Sequence, residues 1–473
     1  MSKNAEHPFS LRLRPDVTLT QDSDGRVLAR TETLQLSLGT LPQPLASALQ
    51  KLATAPMLQE DLIAAALAVG PSAMPPLLMT VTRLSEAGLL CHVLLDQGAA
   101  FATLAPLNSH FKARHSRVQP ESNWRLDTSA SMMLRSGTMV LQSPLSSAEV
   151  VLDDWRAAAA VHKLASGCSV DDLTASLPDL PMPLALDLLS LLLTAELIED
   201  CAAPRRDLSP GRLWQPADLA LHVQSRRGFR DTPSGATYPG EGKQPPLPVV
   251  KTPMLEQYIA LPTADMEQAL VNDPPFAEVV EGRVSQREFG TQPLTIDDLG
   301  AFLDRTFRVS KIYEAASKPY QISARPSPSG GGVHELEVYV AISECAGAGR
   351  GFYHYAPDTH QLHILTGKEE CAEQLLNDAQ QSSGATRSPQ VLIVLAARFG
   401  RVTWKYQNLS YALILKHVGI AMQNMYLTAT AMGLAGCALG GGDAVTFAKA
   451  TGLDWLDESS VGEFMLGSRP EGG

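Results

Sequence analysis

Four short stretches carry groups able to do chemistry. Arg283, Ser285 and Arg287 alternate along one segment, where two guanidinium groups and a hydroxyl can converge on a phosphate; for these residues alone, a pair of exposed arginines is the plainer reading. Pro326-Ser327-Pro328-Ser329-Gly330-Gly331-Gly332 runs directly into a strand expected over Leu336 to Ile342. A Ser/Gly loop at a strand edge can set hydroxyls and amides against a heteroaromatic ring. Lys405-Tyr406 puts an amine beside a phenol, and Gly440-Gly441-Gly442-Asp443 offers backbone that a planar or anionic ligand can approach unhindered by any Cβ. Taken by itself, the glycine triplet reads more plainly as a helix C-cap followed by a flexible turn.

These stretches need a scaffold, and its centre is the run from Tyr411 to Leu434. Apolar or small residues occur on every side of its helical wheel, broken only by Lys416, His417, Gln423, Asn424, Thr428 and Thr430, so protein must surround it. At 1.5 Å per residue such a helix spans about 36 Å. Gly419, Ala421, Ala429 and Ala431 admit a close neighbour, and a second subunit is the expected one. The glycine triplet is read as following this helix. A membrane span is not expected, because Gln423-Asn424 sits at its centre and no comparable run occurs elsewhere. Strands are expected over 336–342, GFYHY, QLHIL, PQVLIVLAA and EFMLG, with helices near 295–307 and 368–381, which makes a mixed α and β domain around one sheet.

The amino-terminal half repeats itself. Short strands with a turn at Asp24-Gly25 lead into three amphipathic helices and the strand CHVLL. A hairpin at Ser136-Gly137 and three more helices follow in the same order. Lys51-Leu52-Ala53-Thr54 matches Lys163-Leu164-Ala165-Ser166 at an offset of 112, and Ala87-Gly88-Leu89-Leu90 matches Ala195-Glu196-Leu197-Ile198 at 108. This reads as a duplicated winged-helix arrangement, with domains at 1–105 and 106–225 and a Pro/Gly-rich linker at 226–253 before a domain at 254–473. Nucleic acid is not the expected partner: residues 1–200 hold 14 Lys and Arg against 21 Asp and Glu, and the whole chain of 473 residues carries a net charge of −12. A winged module can instead take an extended peptide at its hairpin edge; two purely structural domains are the competing reading. Six scattered cysteines without C-x-x-C or zinc spacing indicate neither disulfides nor metal and suit a reducing cytoplasm; MSKNAEHPFSLRLRP lacks a signal-peptide core.

With these residues in place, the second half resembles the nitroreductase-like flavoproteins, and within them the SagB-type azoline dehydrogenases that include the cyanobactin oxidases. The family's R-x-S-x-[KR] pattern is similar to Arg283-Val284-Ser285-Gln286-Arg287. Its P-S-P-S-G-G element lies at 326–331, its K-Y pair at Lys405-Tyr406, its glycine turn at Gly440-Gly441, and a closing element at Gly467-Ser468-Arg469-Pro470. The resemblance covers about 251–473, and the duplicated front half is similar to the peptide-clamp domains that accompany such oxidases. Two departures stand out. Val284 replaces a residue that is often basic, leaving the phosphate to Arg283, Arg287 and Arg469. His334 reads as bonded to backbone, with a substrate contact or a second base as the other readings.

The resemblance implies an α+β fold that binds FMN at the boundary of a homodimer, with Ser327, Pro328, Ser329, Gly330, Gly440 and Gly441 also lining the cofactor. It implies a precursor peptide as substrate, whose thiazolines or oxazolines, made by a separate cyclodehydratase, lose a proton from the former Cα carbon and a hydride from the former Cβ carbon. Tyr406 is read first as the base, its phenolate favoured by the Lys405 ammonium; Lys405 with a pKa lowered by burial is the alternative. Dioxygen is the expected reoxidant, as the resemblance to oxidases implies, and without a dinucleotide fingerprint a built-in NAD(P) domain is not expected. An NAD(P)H-dependent nitro or quinone reductase and a non-catalytic peptide adaptor are the rival functions.

Overall fold

Alternating residues form strands and helical periodicity forms helices in each part of the amino-terminal half. The computed structural model describes residues 9–113, 117–203, 213–316 and 318–470. The first eight residues, on which the reading of the amino terminus partly rests, lie outside the described residues. The chain forms two units, Met1–Pro233 and Ser234–Gly473.

In the first unit, helices Gln43–Leu52, Gln59–Val69 and Met74–Glu86 are echoed by Trp155–Leu164, Val170–Ser176 and Met182–Thr194. The second set is better capped. Asp154 accepts from the Arg156 amide, and Ser169 and Asp172 form a reciprocal capping box. The two expected hairpin turns are present, and at Ser136 and Gly137 both φ angles are positive, as a two-residue turn between Arg135 and Thr138 requires. Six strands drawn from both repeats share one antiparallel sheet, in the order Ser10–Leu13, Leu90–Asp96, Ala99–Pro106, Ala148–Leu152, Thr138–Gln142 and Ser131–Arg135, while Thr18–Gln21, Arg26–Arg30 and Gln35–Thr40 form a sheet of their own. The pairing of Ala148–Val151 with Thr103–Pro106 joins them.

The second unit is α+β. Its seven-stranded antiparallel sheet runs Tyr258–Ala260, Gln361–Ile364, Gly351–Ala356, Leu336–Ile342, Val391–Arg398, Glu458–Ser468 and Leu434–Leu439. All eight residues of Val391–Arg398 are buried, because helices cover both faces. Ser410–Ala431 and Ile296–Phe307 pack on one face through Ile414, Val418, Met425, Leu299 and Phe302. Glu369–Ser383 and Ala444–Thr451 cover the other through Leu375, Leu376 and Phe447.

Three expectations change. The long helix stops at Ala431, because Gly433 turns the chain with φ of 68° and Leu434–Leu439 becomes an edge strand. Gly440–Gly442 therefore follow that strand, not the helix, and Asp443 caps the next helix by accepting from the Val445 and Thr446 amides. The long helix is also not enclosed on all sides within one chain: Tyr411, Leu415 and Ile420 are exposed while His417, Val418, Ala421 and Met425 face inward.

The third concerns residues 234–251, read as part of a free connection. They form a strap on the second unit. Apart from a β-bridge between Gly235 and Gln407, they form no helix or strand, and their backbone groups are satisfied elsewhere: the Tyr238 and Gly240 amides donate to the Lys405 and Trp404 carbonyls. Leu247, Pro248 and Val249 carbonyls accept from Arg401, Arg398 and Arg325, and Val249 is fully buried. Among the described residues no helix is long and apolar enough to cross a membrane, no cluster of metal-binding side chains occurs, and all six cysteines are free.

Candidate functional site

Lys405 lies two residues after the short helix Phe399–Thr403, ahead of the long helix, and is only 6% exposed. Its Nζ donates to the Tyr320 hydroxyl at 2.6 Å and to the Gly331 carbonyl at 3.3 Å. Burial pushes its pKa down; Tyr238 opposes this and the Arg401 guanidinium adds to it. Arg401 is itself buried, donates to the carbonyls of Val333, Leu247 and Gln321, and is lowered to about 10 by loss of solvent. The surroundings thus favour the neutral amine more than bulk water does.

Tyr406 does not behave as first read. Its ring centroid lies 5.4 Å from Lys405 Nζ, but that nitrogen hydrogen-bonds to Tyr320, and burial raises the Tyr406 phenol above its ordinary value. The adjacency of the two in sequence predicts a stabilised phenolate; the fold gives the lysine a different phenol. Of the two bases weighed, the local electrostatics favour Lys405.

The loop Ser327–Gly331 closes over this pair. Its shape is set by the long helix: Asn424 Nδ2 donates to Ser327 Oγ at 3.1 Å, and the Gly330 amide donates to His417 Nε2 at 2.8 Å. Because that nitrogen accepts, the imidazole proton lies on Nδ1, which donates to Glu335 Oε1 at 2.7 Å. Glu335, fully buried, also receives Ser329 Oγ. A Glu335–His417 pair therefore fixes the amide of the glycine expected to touch cofactor. At Gly331, where φ is 62°, an added Cβ would run into Lys405 Nζ and the Tyr406 hydroxyl. We expect Gly331→Ala to keep the fold but displace Lys405, lowering kcat at least about tenfold with little change in KM, as steady-state assay will show. His334 precedes the strand with φ of 42°, is bonded to the Ser323 backbone, and is held neutral by burial and by Arg325, its pKa near 3. This is the backbone-bonded reading.

A second group forms further along the same helix. Arg283 lies over the Tyr426 ring at 5.1 Å, and Ser285 Oγ meets the Tyr426 hydroxyl at 2.9 Å. The Gln286 amide donates to the Gly436 carbonyl, so this segment runs beside the edge strand. Arg469 lines the same small cavity as Gly282, Val284, Tyr426 and Gly436. Arg283 and Ser285 therefore meet at Tyr426, which also borders the cavity lined by Arg469; guanidinium and hydroxyl donors of this kind suit a phosphate monoester. Arg287 is exposed and makes no side-chain hydrogen bond or ion pair among the described residues. Tyr426 lies nine residues, about 13 Å of rise, beyond His417 along the long helix, so the arginine group and the lysine group are set at different heights on it.

Gly440 and Gly441 are exposed, and an added Cβ at either would meet open space. Gly442 is different: a Cβ there would collide with the Glu463 carboxyl. Burial raises Glu463 from 4.5 to about 7, against a hydrogen bond from Ser460. The folded state thus holds this proton more tightly than the unfolded chain does. Its contribution is undiminished below the ordinary carboxyl range and is lost as pH climbs from about 4.5 through 7. Glu463→Gln should remove that dependence, so that the stability difference from wild type changes by up to about 3 kcal/mol between pH 5 and 8.5 in urea titrations.

Tyr320, Tyr238, Arg401, Glu335 and His417 were not singled out as site residues from the sequence. Only His417, a polar interruption in an apolar helix, left a signal; the others become neighbours through the strap, the hairpin Lys311–Ala324 and the loop.

Residues 280–468 match the nitroreductase family, and residues 129–231 match the cyanobactin oxidase ThcOx. A nitroreductase-like protein of Methanocaldococcus jannaschii, MJ1384, is 28% identical over 178 residues, which are 38% of this chain and 84% of that protein. Similar solved structures include a nitroreductase-like protein of Ralstonia eutropha (22% identity, 50% of this chain, 98% of the other, TM-score 0.35). The Escherichia coli microcin synthetase McbBCD complex with truncated pro-MccB17 bound matches at 21% identity over 48% of this chain and 79% of the other, with a TM-score of 0.34. A nitroreductase with bound FMN from Bacteroides fragilis matches at 15% over 42% and 91%, with a TM-score of 0.25.

Proposed function

We propose that this chain, which carries a nitroreductase-family domain at 280–468 and a cyanobactin-oxidase segment at 129–231, oxidises thiazoline or oxazoline rings of a ribosomal peptide to thiazoles or oxazoles. One observation carries the proposal: a buried amine, Lys405, whose pKa is pushed down by burial so that more of it is available in the proton-accepting form, stands under the Ser327–Gly331 loop. A simple flavin reductase takes its electrons from a dinucleotide and has no need of such a base.

FMN fits the residues present. Arg283, Ser285 and Arg469 can hold its phosphate, and the Ser327, Pro328, Ser329 and Gly330 loop its ring, at the boundary of a homodimer. When bound, it supplies a two-electron acceptor for the hydride, with dioxygen as final oxidant. The neutral Lys405 amine takes the proton from the ring carbon that was Cα. Tyr406 packs beside the substrate as a wall, and the Glu335–His417 pair keeps the loop amide in place. The exposed Tyr411, Leu415 and Ile420 give the long helix an apolar face for the second copy. The duplicated front half grips the peptide, the protein works beside a cyclodehydratase, and its six free cysteines suit the cytoplasm.

The deciding experiment is incubation of the yellow protein with a thiazoline peptide in air, followed by mass analysis. A loss of about 2 Da per ring is expected. Bleaching by NADPH with no change in the peptide would instead establish a nitro or quinone reductase, and failure to retain flavin would leave a peptide adaptor.

A further inference from the structure

A base must be aimed and must be emptied after each turnover, and the surroundings of Lys405 provide for both. A neutral lysine amine has two hydrogens and one lone pair. The Tyr320 hydroxyl and the Gly331 carbonyl accept those two hydrogens, at 2.6 and 3.3 Å. The lone pair is then left in the one remaining tetrahedral direction. Tyr320 belongs to the strand hairpin Lys311–Ala324, outside every motif considered above, and is 8% exposed.

Beyond Tyr320 stands Tyr238 of the strap. Its ring centroid is 6.2 Å from that of Tyr320, its hydroxyl engages the Tyr320 hydroxyl, and it is partly open to solvent. Three contacts fix it there: its amide donates to the Lys405 carbonyl, its ring meets Trp404 edge-on at 6.0 Å, and Lys318 Nζ lies 4.8 Å over its face. Lys318 is in turn held by Glu241 of the same strap.

Resting on the reading of Lys405 as base, we infer that Tyr320 positions the amine and that Tyr320 and Tyr238 together form its proton exit. Neutral Lys405 receives the ring proton and becomes ammonium. It then passes a proton to the Tyr320 oxygen as Tyr320 releases its own to Tyr238, and Tyr238 loses one to water. The C–H bond breaks, one proton reaches solvent, and both phenols and the amine regain their starting forms.

The test compares Tyr320→Phe, Tyr238→Phe and Lys405→Ala in the full-length flavin-loaded chain with a thiazoline peptide, with bound flavin absorbance as the check on folding. Lys405 is faced by Tyr238, Tyr320, Tyr406, Arg401 and, through Gly330, His417 and Glu335, so pH profiles are read against buffer concentration. Tyr238→Phe should lower kcat about three- to tenfold at unchanged KM, and added imidazole should restore it by carrying the proton. Tyr320→Phe should cost more, about ten- to a hundredfold, and should shift the pH profile of kcat, with imidazole rescue incomplete because the amine is no longer aimed. Wild-type kcat should not respond to imidazole. If both phenylalanine variants keep the wild-type profile while Lys405→Ala is inactive, the exit is refuted and the base stands. If Lys405→Ala turns over normally, the base itself is refuted.

Discussion

Lys405→Ala should remain yellow and dimeric yet lose about 10² to 10⁴ in kcat for azole formation, the range expected when a general base is removed. The side chain touches no part of the arginine group that would hold the flavin phosphate, so flavin content should be unchanged. Lys405→Arg should not rescue, because a guanidinium stays protonated and cannot fit between Tyr320 and the Gly331 carbonyl. Tyr406→Phe separates the two candidates. The Tyr406 phenol is raised by burial and so makes a poor base near neutral pH, and its loss should cost far less than loss of the lysine. The measurement is single-turnover reduction of bound flavin by a thiazoline peptide. Wild-type rates in Lys405→Ala, or total loss in Tyr406→Phe alone, would return the role to the phenol.

Arg283→Gln together with Arg469→Gln should release the flavin. Each charge-assisted hydrogen bond to a phosphate is worth about 1.5–3 kcal/mol, so each single change should weaken FMN binding about ten- to a hundredfold. The double variant should purify colourless. Arg287→Gln serves as the internal control: exposed and outside the group, it should bind FMN as wild type does. Fluorescence titration of the apoprotein gives all four constants in one series. Equal losses at Arg283 and Arg287 would place the phosphate elsewhere on the segment.

Element identity in the second unit was largely legible, because a sheet buried on both faces writes continuous apolar runs such as Val391–Ala397, and amphipathic spacing gives away Ile296–Phe307. Capping pairs such as Thr295 with Asp298 mark their ends. Two things were hidden. The end of the long helix depended on Gly433 alone, in a sequence that stays apolar on both sides of it. The partners of Lys405 depended on chain crossings: Tyr320 is 85 residues away, and Tyr238 comes from a stretch whose prolines and glycines read as slack. Local pattern shows which residues are reactive. It does not show which long-range neighbour sets their protonation.

The strap also decides where this protein can be cut. Its Leu247, Pro248 and Val249 carbonyls cap Arg401, Arg398 and Arg325, all placed at or beneath the loop and base. A shortened enzyme beginning at 254 would bare three guanidinium groups and lose Tyr238 with them. Anyone grafting a new recognition module onto this oxidoreductase must splice ahead of Ser234, so that the Pro/Gly tract travels as part of the catalytic half.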